Sequence, residues 1–436
     1  MWSLLSVAAA LFAAAASAVS TGGSRLLVVL DDVAEKDTYG QFLGDLTARG
    51  FDVSYETPRS EGLTLFHLGE RKYDHLLFLP SKVKGLGPNL TPNRLVDFVN
   101  AQGNILLALS STVPTSTSLV SLLSELDISL PIERTGTVVD HFNYDTVSAA
   151  ESHDVLVLDA PSNVRPGLKS YFEVPGGVLA FPHAVGHVLG SGALLTPVVR
   201  APATAYTYNP KEQAEVLDAD DLFAAGQQLA LVSVVQARNS ARVTKVGGKS
   251  VKADNKEFAR RVAGWTFQEI GVLRVNSIEH KLQETEELNP EIYRIKNDVS
   301  YAISLSEYSW DKWVPFTLPE DDVLQLEFSM LSPFHRLNLA LTGTTDDAAV
   351  YGVSFTLPDQ HGIFNFKVNY KRPYLTYVEE KNTVSVRHFA HDEWPRSFVI
   401  SGAWPWISGI GATVSGFVGF CAIWMYSKPV GKGKKN

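Results

Sequence analysis

Residues Trp404–Tyr426 run for 23 positions without a charged side chain, and as a helix rising about 1.5 Å per residue they reach roughly 34 Å. That length crosses a bilayer. Trp404 and Trp406 stand at one end and Trp424 and Tyr426 at the other, where amphipathic rings favour the membrane interfaces. Pro405 falls in the first turn, where its missing N–H costs nothing. After the span come Lys428, Lys432, Lys434 and Lys435 with no acid, whereas Asp392, Glu393 and Arg396 precede it. The positive-inside rule therefore puts residues 427–436 in the cytosol and the bulk of the chain on the other side. Within the helix Gly411, Ser415 and Gly419 repeat at every fourth position, beside a second row of Ser408, Ala412 and Gly416. Small side chains let a neighbouring helix approach closely, although glycine is common in membrane helices generally.

A second apolar run, residues 4–16 (LLSVAAALFAAAA), precedes Ala16-Ser17-Ala18, the small-x-small form of a signal-peptidase site. Cleavage is expected after Ala18, with the α-amino group as the only positive charge of the leading region. The alternative, a buried Ala-rich helix, lacks a cap and a polar face. Lys434 is third from the end and Lys432 fifth, the K-x-K-x-x spacing of cytosolic signals that return type I membrane proteins to the endoplasmic reticulum. The competing reading of those lysines is an ordinary stop-transfer cluster.

Residues 19–403 carry 34 basic and 47 acidic side chains, a formal charge of −13. Nucleic-acid binding needs a basic face and is excluded as a main activity. The only cysteine, Cys421, lies inside the span, so no intrachain disulfide, cysteine metal site or lumenal cysteine nucleophile exists.

The first lumenal half, 19–250, reads as α/β. Residues 25–30 (RLLVVL), 75–79 (HLLFL) and 104–109 (NILLAL) have the apolar form of buried parallel strands. Helical patterns lie between them, over 38–49 ending at Gly50 and over 91–102 ending at Gly103. This alternation predicts an open doubly wound sheet, whose strand ends would gather Asp31, Asp32, Ser81, Lys82, Ser110 and Ser111. Of these, Asp31 and Asp32 could bind a metal or a sugar hydroxyl, though a solvated strand-end pair is commoner. Other motifs fail on inspection. Gly247-Gly248-Lys249-Ser250 lacks the first glycine of a P-loop, since Val243 stands there. His183 and His187 have ligand spacing, but Pro182 and Gly186 argue against the helix that would present them. Ser191 sits in Leu189-Gly190-Ser191-Gly192, which misses the first glycine of a nucleophile elbow. No catalytic residue, cofactor site or metal site is assigned.

Residues 251–276 read as a link, with a helix over 255–267 that Asn255 would cap. From 277 to 403 the pattern becomes period-two: 299–306, 323–328, 337–341, 350–357, 363–370 and 383–386 are strands of a β-sandwich-like region. In 363–370, Phe364, Phe366, Val368 and Tyr370 share one face, which packs a core, opposite Asn365, Lys367 and Asn369. Asn89-Leu90-Thr91 is a candidate glycosylation sequon, although Pro92 follows it and Thr91 is placed to cap a helix.

The run DQHGIFNFKVNYKR from Asp359 to Arg372, followed by Thr383-Val384-Ser385-Val386-Arg387 and His391-Asp392-Glu393, resembles the 48 kDa-type, non-catalytic subunit of the oligosaccharyltransferase complex. The family residues in this stretch are Gly362, Phe364, Phe366, Tyr370 and Arg372. The resemblance extends over residues 25–31, Pro290-Glu291-Ile292-Tyr293-Arg294-Ile295-Lys296, residues 325–328 and the span, and so is essentially full length. It implies a subunit of the enzyme that transfers a preassembled oligosaccharide from dolichyl diphosphate to Asn of Asn-x-Ser/Thr, with the chemistry in a polytopic partner subunit. It further implies a glutamine-amidotransferase-like α/β domain without the nucleophilic cysteine, a role in assembly and full activity of the complex, and an indirect association with the protein translocon. Tyr374 departs from the pattern. It stands where the family usually has glycine, and a turn with positive φ is not expected of it.

Two other classes compete. An endoplasmic-reticulum hydrolase using Asp31, Asp32 or His183 needs a nucleophile or metal cluster that the sequence does not offer. A retained lectin-like cargo receptor would use the β region and the lysine signal equally well, and predicts glycan binding by the lumenal part alone.

Overall fold

The computed structural model describes residues 19–161, 169, 171–174, 176–209, 222–247, 254–394 and 402–427. The expected signal at 1–18, the lysine signal at Lys432 and Lys434, and Gly248-Lys249-Ser250 lie outside the described residues.

The principal strands of the first domain are β1 (Arg25–Val29), β2 (Asp52–Glu56), β3 (His75–Phe78), β4 (Asn104–Leu109), β5 (Ile128–Ser129), β6 (Val155–Asp159), β7 (Val178–Pro182), β8 (His187–Leu189), β9 (Leu195–Arg200), β10 (Leu229–Gln236) and β11 (Arg242–Gly247). The main sheet runs β2-β1-β3-β4-β11-β10-β8-β5, with β9 also on β10. Its first five strands are parallel, and β10 reverses direction beside β11. Helices α1 (Gly40–Ala48), α2 (Pro92–Asn100), α3 (Thr117–Glu125) and α4 (Asn255–Thr266) cover it. Alternate residues of β1 decide the layers: Leu26 and Val28 join Leu43, Leu46, Phe258 and Val262 from α1 and α4, whereas Leu27 and Val29 join Leu95, Phe98, Leu119 and Leu122 from α2 and α3. A sheet buried on both faces explains why its strands read as continuous apolar runs.

Both helix ends marked by glycine close in the same way, for different reasons. After α1, Gly50 takes φ +99, and the N–H groups of Gly50 and Phe51 return to Thr47 and Leu46. After α2 the left-handed residue is Gln102, at φ +67, and Gly103 follows it. Glycine is needed at 103 because a Cβ there would lie 2.2 Å from the Phe98 ring.

Helix α4 corrects one expectation. Asn255 does not cap it: Asp254 holds that position, and the Asn255 amide instead bonds both the N–H and the carbonyl of Ala180 on β7. The segment joins the two halves along the chain, yet Phe258, Val262 and the fully buried Trp265 belong to the first core.

The second domain comprises β12 (Ile270–Leu282), β13 (Ile292–Arg294), β14 (Asp298–Ser309), β15 (Lys312–Pro315), β16 (Gln325–Ser329), β17 (Pro333–Asn338), β18 (Ala340–Thr344), β19 (Ala349–Thr356), β20 (Gly362–Tyr370) and β21 (Val378–Arg387). One sheet runs β12-β14-β19-β18 with β15 on β14, the other β13-β21-β20-β16-β17. They pack face to face, with Tyr301 stacked on Phe366 at 5.5 Å and Phe355 meeting Phe328 edge-on at 5.6 Å. The single strand expected at 337–341 is the crossing between the sheets. Leu337 ends in one and Leu341 pairs in the other, with buried Leu339 between them.

Helix α5 (Trp404–Tyr426) is the one described helix long and apolar enough to cross a membrane, and none of its residues is buried against the rest of the chain.

Candidate functional site

In a parallel sheet the ligand position lies beyond the carboxyl ends of the strands. There the structure brings Asp31, Ser81 and Lys82 together: the Asp31 carboxylate accepts from the Ser81 hydroxyl and, at 2.5 Å, from the Lys82 N–H. Asp32 instead accepts from the Ala34 N–H at 3.0 Å and caps a short turn. The Ser110 and Thr112 hydroxyls pair at 2.9 Å, and Ser111 donates its N–H to the His183 carbonyl at 3.1 Å. These polar atoms largely serve one another, fastening the end of β1 to that of β3 and the end of β4 to that of β7.

Beside them, between α1 and α4, opens a cavity of about 340 Å³. Leu77, Leu106, Phe181, Phe258 and Val262 form its walls, and Tyr39, Asp45, Ser110 and Lys256 stand among the polar residues lining it. Asp45 is already engaged by Arg49 at 3.2 Å. The volume suits a small molecule or a buried side chain of another protein.

The remaining sequence candidates separate. His183 pairs with Asp154 at 2.8 Å. His187 is enclosed in the sheet, its Nδ1 2.7 Å from Lys245 Nζ and its Nε2 2.7 Å from Ser233 Oγ. The two histidines thus share no ligand position. Among the described residues no group of three or more His, Cys, Asp or Glu side chains is placed to hold a metal ion. Ser191 lies in a turn around Asp127, whose carboxylate accepts the Gly192 N–H at 3.0 Å. Gly190 approaches so closely that a Cβ would lie 2.0 Å from that carboxylate.

Sequence reasoning missed the polar groups inside β11. Lys245 is 1% exposed, and burial drives its ammonium and the His187 imidazole well below their ordinary values. A hydroxyl, imidazole and amine in line resemble a catalytic relay, but all three are buried. Arg242 is also fully buried and donates to the carbonyls of Trp265, Ile270 and Gly271 at 2.6, 2.8 and 2.7 Å. Burial lowers its pKa to about 9, which leaves it charged at neutral pH. One guanidinium thereby holds the end of α4 to the start of β12, where one domain passes into the other.

The residues quoted for the family lie on and beyond β20. Phe364, Phe366 and Tyr370 are buried in the sandwich. Gly362 has φ +151, and a Cβ there would meet Met330 Sδ at 2.7 Å. Arg372 grips Asp322 through two nitrogens, and the Tyr370 hydroxyl donates to the same carboxylate at 2.6 Å. Tyr374 does adopt positive φ, +69, against expectation. Its ring meets Phe172 edge-on at 5.2 Å, which fixes the turn without glycine.

The architecture defines a class: an α/β domain fastened to a β-sandwich, with one helix among the described residues capable of crossing a membrane. Comparison with known sequences makes this specific. The chain belongs to the OST48 family, matching the family's N-terminal domain over residues 17–269 and its middle domain over residues 279–428. It is 36% identical over 91% of both chains to the "Dolichyl-diphosphooligosaccharide--protein glycosyltransferase subunit wbp1" of Schizosaccharomyces pombe. It is 30% identical to the 48 kDa subunit of the same transferase from Danio rerio, over 93% of this chain and 92% of that one. The Caenorhabditis elegans 48 kDa subunit is 31% identical over 94% and 93%. Among solved structures, the carbohydrate deacetylase Agd3 overlaps at a TM-score of 0.33 with 10% identity, over 61% of this chain and 37% of that one.

Proposed function

We propose that this chain is a non-catalytic subunit of the endoplasmic-reticulum oligosaccharyltransferase, which moves a preassembled oligosaccharide from dolichyl diphosphate to Asn of Asn-x-Ser/Thr. The length shared with relatives named as subunits of that transferase carries the reading, together with family matches over 17–269 and 279–428 that take in both domains and α5. Its role is to assemble and stabilise the complex around a polytopic catalytic subunit, with the translocon as an indirect neighbour. The absence of cysteine from the α/β domain suits a glutamine-amidotransferase-like scaffold that has no nucleophile. The acidic surface favours contacts with other subunits over direct contact with the diphosphate.

Within this reading residues 1–18 are a signal peptide, 19–250 and 277–403 the lumenal domains, 251–276 their junction, 404–426 the span and 427–436 a cytosolic tail. Lys432 and Lys434 return the protein to the endoplasmic reticulum, and Gly411, Ser415 and Gly419 form the row on which another membrane helix packs. Asn89 is a glycosylation site. It is half-buried in the turn Pro88–Leu90, and the Thr91 hydroxyl makes no capping bond to α2. Loss of a glycosidase-sensitive mobility shift in Asn89→Gln tests that assignment.

The test of the main reading is extraction in mild detergent through a tag on this chain, followed by assay of transfer from dolichyl diphosphate to a sequon peptide. Activity in the eluate but not in the purified single chain is the expected result. An eluate containing only this chain, inactive, would sink the proposal.

A further inference from the structure

The sheet β13-β21-β20-β16-β17 carries large exposed apolar side chains at one end. Ile363 is 64% exposed, Ile292 60%, Leu331 99% and Trp394 54%. Ile363 and Ile292 each pair with Ser385, so they lie in one row across three strands of the outer face. Leu331 occupies the turn joining β16 to β17, beside Met330, which covers Gly362 at the start of β20. Trp394 is tied to the same end: Glu393 accepts two bonds from Arg387 at 2.6 Å and one from the Ala390 N–H at 2.9 Å, and the indole packs on His388 and Phe389. Nothing in the sandwich core requires these four to be apolar.

The covalent path gives the reason. Ten residue-to-residue steps lead from Trp394 to Trp404, the first residue of α5. Even fully extended they reach only about 35 Å. The tether leaves the sandwich at the end bearing Trp394, so this end can rest on the bilayer surface, while Asn369, at the other end of β20, lies about 20 Å further along the strand. We propose that this end is a membrane-contact surface, with Leu331, Ile363, Ile292 and Trp394 entering the headgroup layer of the leaflet in which Trp404 and Trp406 anchor the helix. Side chains of this kind favour the boundary between headgroups and acyl chains. The contact fixes the angle at which the two domains stand over the membrane. It rests on α5 spanning the bilayer, so the experiment reads both.

Cys421, the only cysteine, lies in α5 and reports on the span. The full chain, labelled there with an environment-sensitive fluorophore and reconstituted in phosphatidylcholine vesicles, is expected to be quenched by lipids carrying a quencher deep in the acyl region. In a Cys421→Ser background, labels at Leu331→Cys and Ile363→Cys are expected to lose about half their emission to lipids quenching near the headgroup, whereas Asn369→Cys stays unquenched. All three label positions are exposed, Leu331 almost completely, and matching melting curves for the variants check the fold. If Cys421 is quenched while positions 331 and 363 behave like 369, the surface proposal is overturned and the span stands. If Cys421 is not reached by deep quenchers, both fall. Shielding of 331 and 363 only in the native complex, and not in vesicles, would assign this face to another protein chain and overturn the proposal as well.

Discussion

The indole N–H of Trp265 donates to the backbone carbonyl of Tyr374 at 2.8 Å, across 109 residues of sequence. Trp265 closes the last helix of the α/β domain, and Tyr374 forms the turn after the family motif in the sandwich. Arg242 binds the Trp265 carbonyl from the other side and lies 4.5 Å from the centre of its ring. The Gln236 side chain reaches the Leu375 carbonyl next door. The two domains are thus joined by buried polar contacts as well as by the chain.

Tyr374 illustrates how such a junction tolerates local strain. A non-glycine residue at φ +69 costs about 1 kcal/mol, and the ring's contacts with Phe172 and Trp265 offset it. Tyr374→Ala keeps the strain and loses the ring, so a destabilisation of about 2 kcal/mol is expected. Tyr374→Gly loses the ring but relieves the backbone, and should recover about 1 kcal/mol of that loss. Denaturant unfolding of the three chains checks the order; glycine less stable than alanine would contradict it.

Arg242 makes a stronger demand. Arg242→Lys cannot reach three carbonyls with the same planar fork, and each buried acceptor left alone costs about 1–3 kcal/mol. A loss of about 3 kcal/mol or more is expected, larger than for any exposed arginine. Equal stability of Arg242→Lys and the parent would show that the guanidinium is not what fastens β12 to α4.

Asp322 is one of the carboxylates from which acid sensitivity is expected. Burial alone would raise its pKa, but hydrogen bonds from Arg372 and the Tyr370 hydroxyl outweigh that and hold the carboxyl below its usual range. A depressed carboxylate contributes stability that is fully present above its unfolded value, near 3.9, and is lost as pH falls through the folded value. Stability of the parent should therefore decline below about pH 4 more steeply than that of Asp322→Asn, which starts lower at neutral pH. Parallel curves for the two chains would remove the claim.

Much of this organisation is legible in the residues, and the exceptions have physical causes. The apolar runs at 25–30, 75–79 and 104–109 become strands because both sheet faces are covered, and the alternation in 363–370 becomes a sandwich core face. Strand β11 was not legible in position. It inserts between β4 and β10 after a long excursion, and its Arg242 and Lys245 are polar residues whose partners come from distant segments. Asn255 looked like a cap because local sequence does not reveal that β7 would claim its amide. The strand-end residues converged as the topology dictates, but Asp31 could not be known to be occupied by Ser81 and Lys82. The apolar cavity beside them has no motif at all, because its walls are ordinary core residues on four separate elements.

The anchor helix carries the remaining prediction. Gly411 and Gly419 have no atom within 4 Å of where a Cβ would stand, and with Ser415 they share one side of α5 at four-residue spacing. If another membrane helix packs there, leucine at both glycines holds the backbones apart and removes about 1–2 kcal/mol of contact, roughly a tenfold loss in recovered complex. Phe417→Leu, on the opposite side of the same helix, is the comparison, since it changes size without touching the row. Membrane insertion should be the same in both chains, because leucine is at least as apolar as glycine. Quantitative recovery of co-purifying proteins from Gly411→Leu/Gly419→Leu would mean that the small residues merely face lipid, and that contacts outside this row hold the assembly together.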